Sequence, residues 1–247
     1  IGHAGLDGRY AGRFDVTVED GKLVPNLSNW QLMTVEKETE LEPKSAALGK
    51  EAQHSLASIL SIDNPVAYFD ESTDARPRQI RKAENAVGDL IADALRRETK
   101  SDIGLIGGGS LRIGRIIPPG PFYVNDALDL MPFYNKCVSV YLSGKEIRKQ
   151  LDISASALLG QNDNFDPARR TSSGEFLQVS GLRFDIDLNG TPAEVVGRRL
   201  VKPGNRVKNI MTESAEGWVP LDDNKIYSVG TTDFASRYFD VLQEKPP

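Results

Sequence analysis

Between Ile103 and Arg112 the chain reads Ile-Gly-Leu-Ile-Gly-Gly-Gly-Ser-Leu-Arg, an apolar stretch that ends in three consecutive glycines with an arginine three residues further on. Glycine adopts backbone angles closed to other residues and lets a ligand approach the main chain closely. An arginine held on such a turn is placed to meet an anion; the plainer alternative is a glycine-rich loop with Arg112 in solvent. Two phosphate-binding patterns are excluded. The dinucleotide fingerprint requires a third glycine where Arg112 stands, and the P-loop requires Gly-Lys-Ser/Thr where the chain reads Gly114-Arg115-Ile116.

The segments around this turn set the fold class. Residues 85–100 place Val87, Leu90, Ile91, Ala94 and Leu95 on one helical face, with Arg96, Arg97 and Lys100 in the last turns, where cations suit the helix dipole. A strand is expected over 103–106, a proline-rich loop at 118–121, a strand over 138–142 and a helix over 145–159, with a polar loop at 162–173. The remainder alternates as strands over 176–179, 182–188, 206–211 and 226–231, separated by Gly, Asn and Asp turns. Helices early and strands late point to an α+β domain with a mixed sheet and flanking helices, not a doubly wound sheet. Upstream, Phe14 to Val18 reads as a strand and Glu19 to Lys22 as a turn, a hairpin too small for its own core. Residues 42–62 carry Ala46, Leu48, Ala52, Leu56 and Leu60 at helical spacing and read as a connecting helix.

Thirty basic and 35 acidic residues leave a net charge of −5, which gives no general attraction for nucleic acid or anionic membrane. No apolar run nears the roughly 20 residues of a membrane span. Cys137 is the only cysteine, which rules out an internal disulfide and a cysteine-based zinc cluster; its strand-like flank predicts a buried, inert thiol. The two histidines, His3 and His54, are too isolated for a histidine-rich metal site, and His54 reads as structural. The start at Ile1-Gly2-His3, without initiator methionine or signal segment, is expected of a processed or truncated chain, and Lys245-Pro246-Pro247 of a frayed tail.

Five motifs in order over 81–240 resemble the C-terminal domain of the 5'-nucleotidase family. They are Glu84-Asn85-Ala86-Val87-Gly88-Asp89-Leu90-Ile91-Ala92-Asp93-Ala94-Leu95, the turn Gly107 to Arg112, Pro132-Phe133-Tyr134-Asn135, Gly174-Glu175-Phe176-Leu177-Gln178-Val179-Ser180-Gly181, and Tyr227 to Phe234. Leu6 to Val16 resembles the closing hairpin of that family's calcineurin-like metallophosphatase domain. The resemblance implies a hairpin remnant over 1–41, a connecting helix over 42–64 and a 5'-nucleotidase C-terminal domain over 65–247. Gly2-His3-Ala4-Gly5 lacks the second histidine of the family's metal-ligand motif, and its register fits the hairpin better.

What the resemblance implies about binding is carried over residue by residue. Phe133 and Phe234 match the two rings that sandwich the base; the alternative is two core phenylalanines. Asp240 matches an aspartate that accepts from ribose hydroxyls, a task suited to a carboxylate with its several lone pairs. Arg112 and Arg81 match arginines that face the anionic end or the nucleoside, and a planar guanidinium fork suits phosphate or carboxylate. Asn135 and Gly174 match base-contacting positions, and Gly109 lies in the glycine wall. Three departures stand out. The family's paired glycines before the aspartate are Tyr238-Phe239 here, its common asparagine is Gly107, and Ala83 and Asp89 also differ.

The function implied is that of the substrate-binding and specificity domain of a metallophosphoesterase acting on nucleoside phosphates or related nucleotides. No catalytic residue, metal ligand or cofactor is expected in this chain. Two divalent metals, zinc, manganese or similar, are expected in an N-terminal catalytic domain, which would be this chain's partner beside the nucleoside or nucleotide ligand. Without that metal cage, hydrolysis by this chain alone is not expected. Export to the periplasm or cell surface is implied by the resemblance only. The alternatives are a binding module that kept the fold and lost the nucleotide pocket, and an interaction domain of a thiosulfate-oxidising or other non-nucleotide relative.

Overall fold

A computed structural model describes residues 4, 8–25, 29–36, 39–60, 64–158, 174–197 and 199–242, and at 59, 60, 241 and 242 it describes the backbone. Contacts divide the chain into two units, Ile1–Leu60 and Ser61–Pro247.

The first unit contains β1 (Tyr10–Asp15), β2 (Val18–Glu19), β3 (Lys22–Leu23), β4 (Asn29–Thr34) and α1 (Pro43–Leu60). The expected turn is present between β2 and β3, with Asp20 and Gly21 at φ 50° and 73°. The strand expected over 14–18 is interrupted after Asp15. β1 instead pairs antiparallel with β4, with Phe14 opposite Trp30 and their ring centroids 6.2 Å apart in an edge contact. The two-residue hairpin β2–β3 remains a separate two-stranded ribbon.

The second unit runs β5 (Pro65–Phe69), β6 (Thr73–Asp74), α2 (Pro77–Ile80), α3 (Ala86–Glu98), β7 (Ile103–Gly107), β8 (Ile116–Ile117), β9 (Gly120–Tyr123), α4 (Val124–Leu130), β10 (Cys137–Ser143) and α5 (Gly144–Ser156). It continues with β11 (Leu177–Ser180), β12 (Leu182–Ile186), β13 (Glu194–Val196), β14 (Arg199–Lys202), β15 (Val207–Ser214), β16 (Gly217–Pro220) and β17 (Ile226–Thr232), then a 3-10 helix over Ala235–Leu242. The architecture is α+β. Its central sheet is mixed, in the order β10-β17-β7-β11, parallel between β17 and β7 and antiparallel elsewhere. A second, antiparallel sheet has the order β12-β15-β16.

Every residue of β7 is buried, because its two faces serve two cores. Ile103 and Leu105 join Leu142, Ile147, Leu151, Tyr227 and Val229, while Ile106 joins Val87, Ala92, Leu95, Leu111 and Leu130. On the second face α3 lies directly on the sheet. A Cβ at Gly104 would stand 2.2 Å from the Ala92 carbonyl oxygen, and one at its β17 neighbour Gly230 would stand 2.8 Å from that of Leu95. Each glycine costs a strand about 0.5–1 kcal/mol. Full burial of one large aliphatic side chain contributes about 1.5–3 kcal/mol, so the approach that buries Leu95 and Ile106 outweighs the two glycines.

The helix ends follow from local chemistry. Asn85 caps α3 by accepting from the Val87 N–H, and Ser143 with Glu146 forms a reciprocal capping box on α5. At the other end of α5 the buried Arg206 donates from Nη1 to the carbonyls of Leu158 (2.6 Å) and Ala155 (3.3 Å), placing a cation at the negative end of the helix.

Several expectations need correction. Cys137 begins β10 as expected, yet it is exposed rather than buried; partial desolvation and Glu98 raise its pKa, so the thiol stays protonated and poorly nucleophilic. In α3 the buried positions are Val87, Gly88, Ala92 and Leu95, and Ala94 is exposed, because Gly88 and Ala92 allow the sheet to approach on their side. The proline-rich loop contains β8 and β9 and leads into α4. The expected polar loop at 162–173, and His3, lie outside the described residues. His54 is exposed on α1.

Candidate functional site

A cleft of about 460 Å³ opens where five chain segments of the second unit meet, lined by Arg81, Gly109, Ser110, Arg112, Phe133, Asn135, Gly174, Phe234 and Tyr238. Seven of the eight positions carried over from the family line it, and they come from sequence positions as far apart as 81 and 234. The exception is Asp240. Its side chain is exposed on the terminal 3-10 helix and does not line the cleft, because that helix turns Phe239 into the core instead.

Arg81 ends α2, and a buried side chain holds its segment. Gln178 of β11 donates from Nε2 to the carbonyls of Ile80 (2.8 Å) and Ala83 (2.7 Å), and its Oε1 accepts from the Asn85 N–H at 3.1 Å. One buried amide therefore closes three main-chain groups and fixes the approach to both Arg81 and α3. Gly88 leaves room for it, since a Cβ there would lie 2.4 Å from Gln178 Cγ.

The glycine turn has a different cause from the one its composition suggests. None of Gly107, Gly108 and Gly109 has positive φ. They are needed because other main chain presses on them. The Gly108 N–H donates to the Phe176 carbonyl at 2.7 Å and the Gly109 N–H to the Gly174 carbonyl at 2.8 Å. A Cβ on Gly108 would stand 2.6 Å from the Ile80 carbonyl oxygen, and one on Gly109 2.8 Å from Gly174 Cα. Gly109 and Gly174 thus form a wall of bare backbone, and Arg112 follows with its N–H held by the Leu130 carbonyl at 2.8 Å.

Phe133 and Phe234 sit on the opposing turns, 49% and 48% exposed. That exposure excludes the alternative of core phenylalanines. Asp233 joins the two turns: its carboxylate accepts from the Lys136 N–H at 3.0 Å, and its own N–H donates to the Lys136 carbonyl at 2.9 Å. The Arg112 guanidinium lies over the Phe133 ring, 5.2 Å from the centroid. Tyr238 meets Phe234 edge to face at 6.0 Å and 86°. Burial, with Glu175 behind it, raises the phenol pKa against the smaller opposite effects of Arg112 and Arg81, so Tyr238 is a donor at neutral pH.

The sequence reading did not assign roles to Gln178 and Asp233, although both stand inside quoted motifs. A glutamine within an apolar strand was the available signal for the first. Two guanidinium groups and no carboxylate stand among the lining residues, which suits an aromatic ligand with an anionic end. Among the described residues no group of three or more His, Cys, Asp or Glu side chains could hold a metal ion. The described residues therefore do not fit a two-metal centre. Among them too, no helix is long and apolar enough to cross a membrane.

Fold and cleft together define the class, an α+β domain whose loops bring two exposed aromatic rings and two arginines onto a glycine wall. Residues 61–243 match the family model for the 5'-nucleotidase C-terminal domain, and the chain belongs to that family. Over 233 residues, 92% of the chain, it is 26% identical to the trifunctional nucleotide phosphoesterase protein of Bacillus subtilis, covering 14% of that protein. Over 148 residues, 60% of the chain, it is 28% identical to the NAD 5'-nucleotidase of Haemophilus influenzae, covering 21% of it. The crystal structure of the 5'-nucleotidase precursor from Thermus thermophilus aligns with a TM-score of 0.61 at 28% identity, over 96% of this chain and 43% of that one. The chain thus spans less than half the length of each of these relatives.

Proposed function

We propose that this domain binds the nucleoside part of a nucleoside phosphate or related nucleotide and presents it to a two-metal phosphoesterase centre carried by another domain. The observation that supports this reading most directly is the pair of half-exposed rings, Phe133 and Phe234, on tied turns beside Arg112 and Arg81. A base held between them gains about 1–3 kcal/mol per ring, whichever base it is. The anionic end then faces the guanidinium groups.

A second reading is favoured by two specific features, the outward Asp240 and the ring of Tyr238 in the cleft: a module that kept the fold and lost nucleotide binding. Calorimetric titration with adenosine and adenosine monophosphate separates the two. The first reading expects saturable binding of both, weakened about 5- to 150-fold by Phe133→Ala. Absence of saturable binding by any common nucleoside or its monophosphate refutes it and leaves the second.

A further inference from the structure

Tyr238 is the cleft residue that the family motifs leave unexplained. Its ring lies against the bare face of Gly107: a Cβ built on that glycine would stand 3.5 Å from the ring's Cε2 and 2.9 Å from the Gly174 carbonyl oxygen. The Gly174 carbonyl is the neighbour that requires glycine at 107, and the tyrosine ring packs beside it at ordinary van der Waals distance. The ring is half-buried and fixed edge to face on Phe234, one of the two rings proposed to hold the base. Its hydroxyl makes no hydrogen bond to another described residue, while Arg81, Arg112 and Glu175 are near enough to act on it electrostatically. A fixed phenol on a cleft wall, with its donor unused, is built to meet something that enters the cleft.

We propose that Tyr238 is the specificity-determining residue of this cleft, its ring filling the room over Gly107 and its hydroxyl donating to an acceptor atom on the bound nucleoside. This rests on the nucleoside-binding reading above. The chemical consequence is an exchange of preference. A carboxylate on the wall would reward ligand hydroxyls that donate, whereas a phenol rewards a ring nitrogen, carbonyl or phosphate oxygen that accepts. Ligands that offer an acceptor at that point are selected over those that offer only donors.

Tyr238→Phe keeps the ring and removes the donor. Binding of adenosine, inosine, uridine and their monophosphates is measured by calorimetry for the natural chain, Tyr238→Phe and Phe133→Ala, with thermal midpoints recorded for each. The expected result is a loss of about three- to tenfold for Tyr238→Phe on those ligands that bind the natural chain best, a smaller loss on the weaker ones, and an unchanged midpoint. If Tyr238→Phe binds every ligand as the natural chain does while Phe133→Ala loses binding, the tyrosine only fills space and the proposal is overturned with the nucleoside reading intact. If Phe133→Ala is also without effect, the nucleoside reading falls as well.

Discussion

Replacing Asp89 by asparagine should stabilise this domain, and only above acidic pH. Asp89 stands in the first turn of α3, where the helix dipole favours an anion. Burial overrides that preference, with Glu84 and Asp93 adding like charge, and the carboxyl is pushed up to about 6 from 3.8. Beside it lies a groove of about 330 Å³ walled largely by Phe176, Leu182, Phe184 and Ile186. The folded chain therefore holds this proton more tightly than the unfolded one. The stability this confers is complete below pH 3.8 and is lost as pH rises through about 6. At about 1.36 kcal/mol for each decade of pH, the full interval corresponds to roughly 3 kcal/mol. The group is only partly buried, so solvent screening reduces this to about 1–1.5 kcal/mol. For a domain of this size that is about 2–6 °C in Tm. Differential scanning calorimetry of the natural chain and Asp89→Asn at pH 4, 6 and 8 measures it: nearly equal midpoints at pH 4, and the variant higher by a few degrees at pH 8. A difference independent of pH, or a variant less stable at pH 8, would refute the burial argument.

Two other perturbations test the scaffold and the chemistry. Gln178→Leu strips donors from the Ile80 and Ala83 carbonyls and the acceptor from the Asn85 N–H; it should cost about 2–4 kcal/mol, lower Tm by about 5–15 °C and weaken nucleoside binding through the loosened Arg81 segment, read by calorimetry and titration. Loading this chain with zinc or manganese should give no enzymatic release of phosphate from adenosine monophosphate in a colorimetric assay, because a two-metal mechanism needs a ligand cage that the described residues do not form; turnover by the purified chain would overturn that assignment.

How much of this was legible depended on whether the cause was local. α3 was readable because its apolar spacing and its Asn85 cap lie within one segment, and β7 because both of its faces are buried and almost every residue is apolar. α4 was not readable. It spans seven residues after a proline-rich stretch, and its N-terminal support is the Asp126 carboxylate accepting from the Tyr123 N–H at 2.9 Å, with an aromatic at the cap position where Ser, Thr, Asp or Asn is usual. The exposure of Cys137 escaped for a related reason: its strand was identified, but β10 is an edge strand of the sheet, and alternation alone does not say which face is covered. In the candidate site, the motifs named seven residues that line the cleft. The reason for the glycines was not available, since it lies in Ile80 and Gly174, chain segments that meet the turn only in the fold.

The cleft is built so that its scaffold and its recognition surface answer to different constraints. Gln178 on one side and Asp233 on the other fasten loop segments to the sheet through main-chain groups, and Gly108 and Gly109 admit only contacts without a side chain. A change at any of these strands a polar group or forces main chain apart, at a cost of several kcal/mol to the fold. Phe133 and Phe234 are about half exposed and belong to neither core cluster, whereas Tyr238 is half-buried and packs against one of them. Substitution at the two phenylalanines falls within the small range typical of surface positions. Specificity can therefore shift at the rings while the loops stay fixed. Under the proposed function Tyr238 is the place for such a shift, since its ring comes from a segment 131 residues away in sequence and stands at contact distance over Gly107, with the surrounding main-chain hydrogen bonds in place.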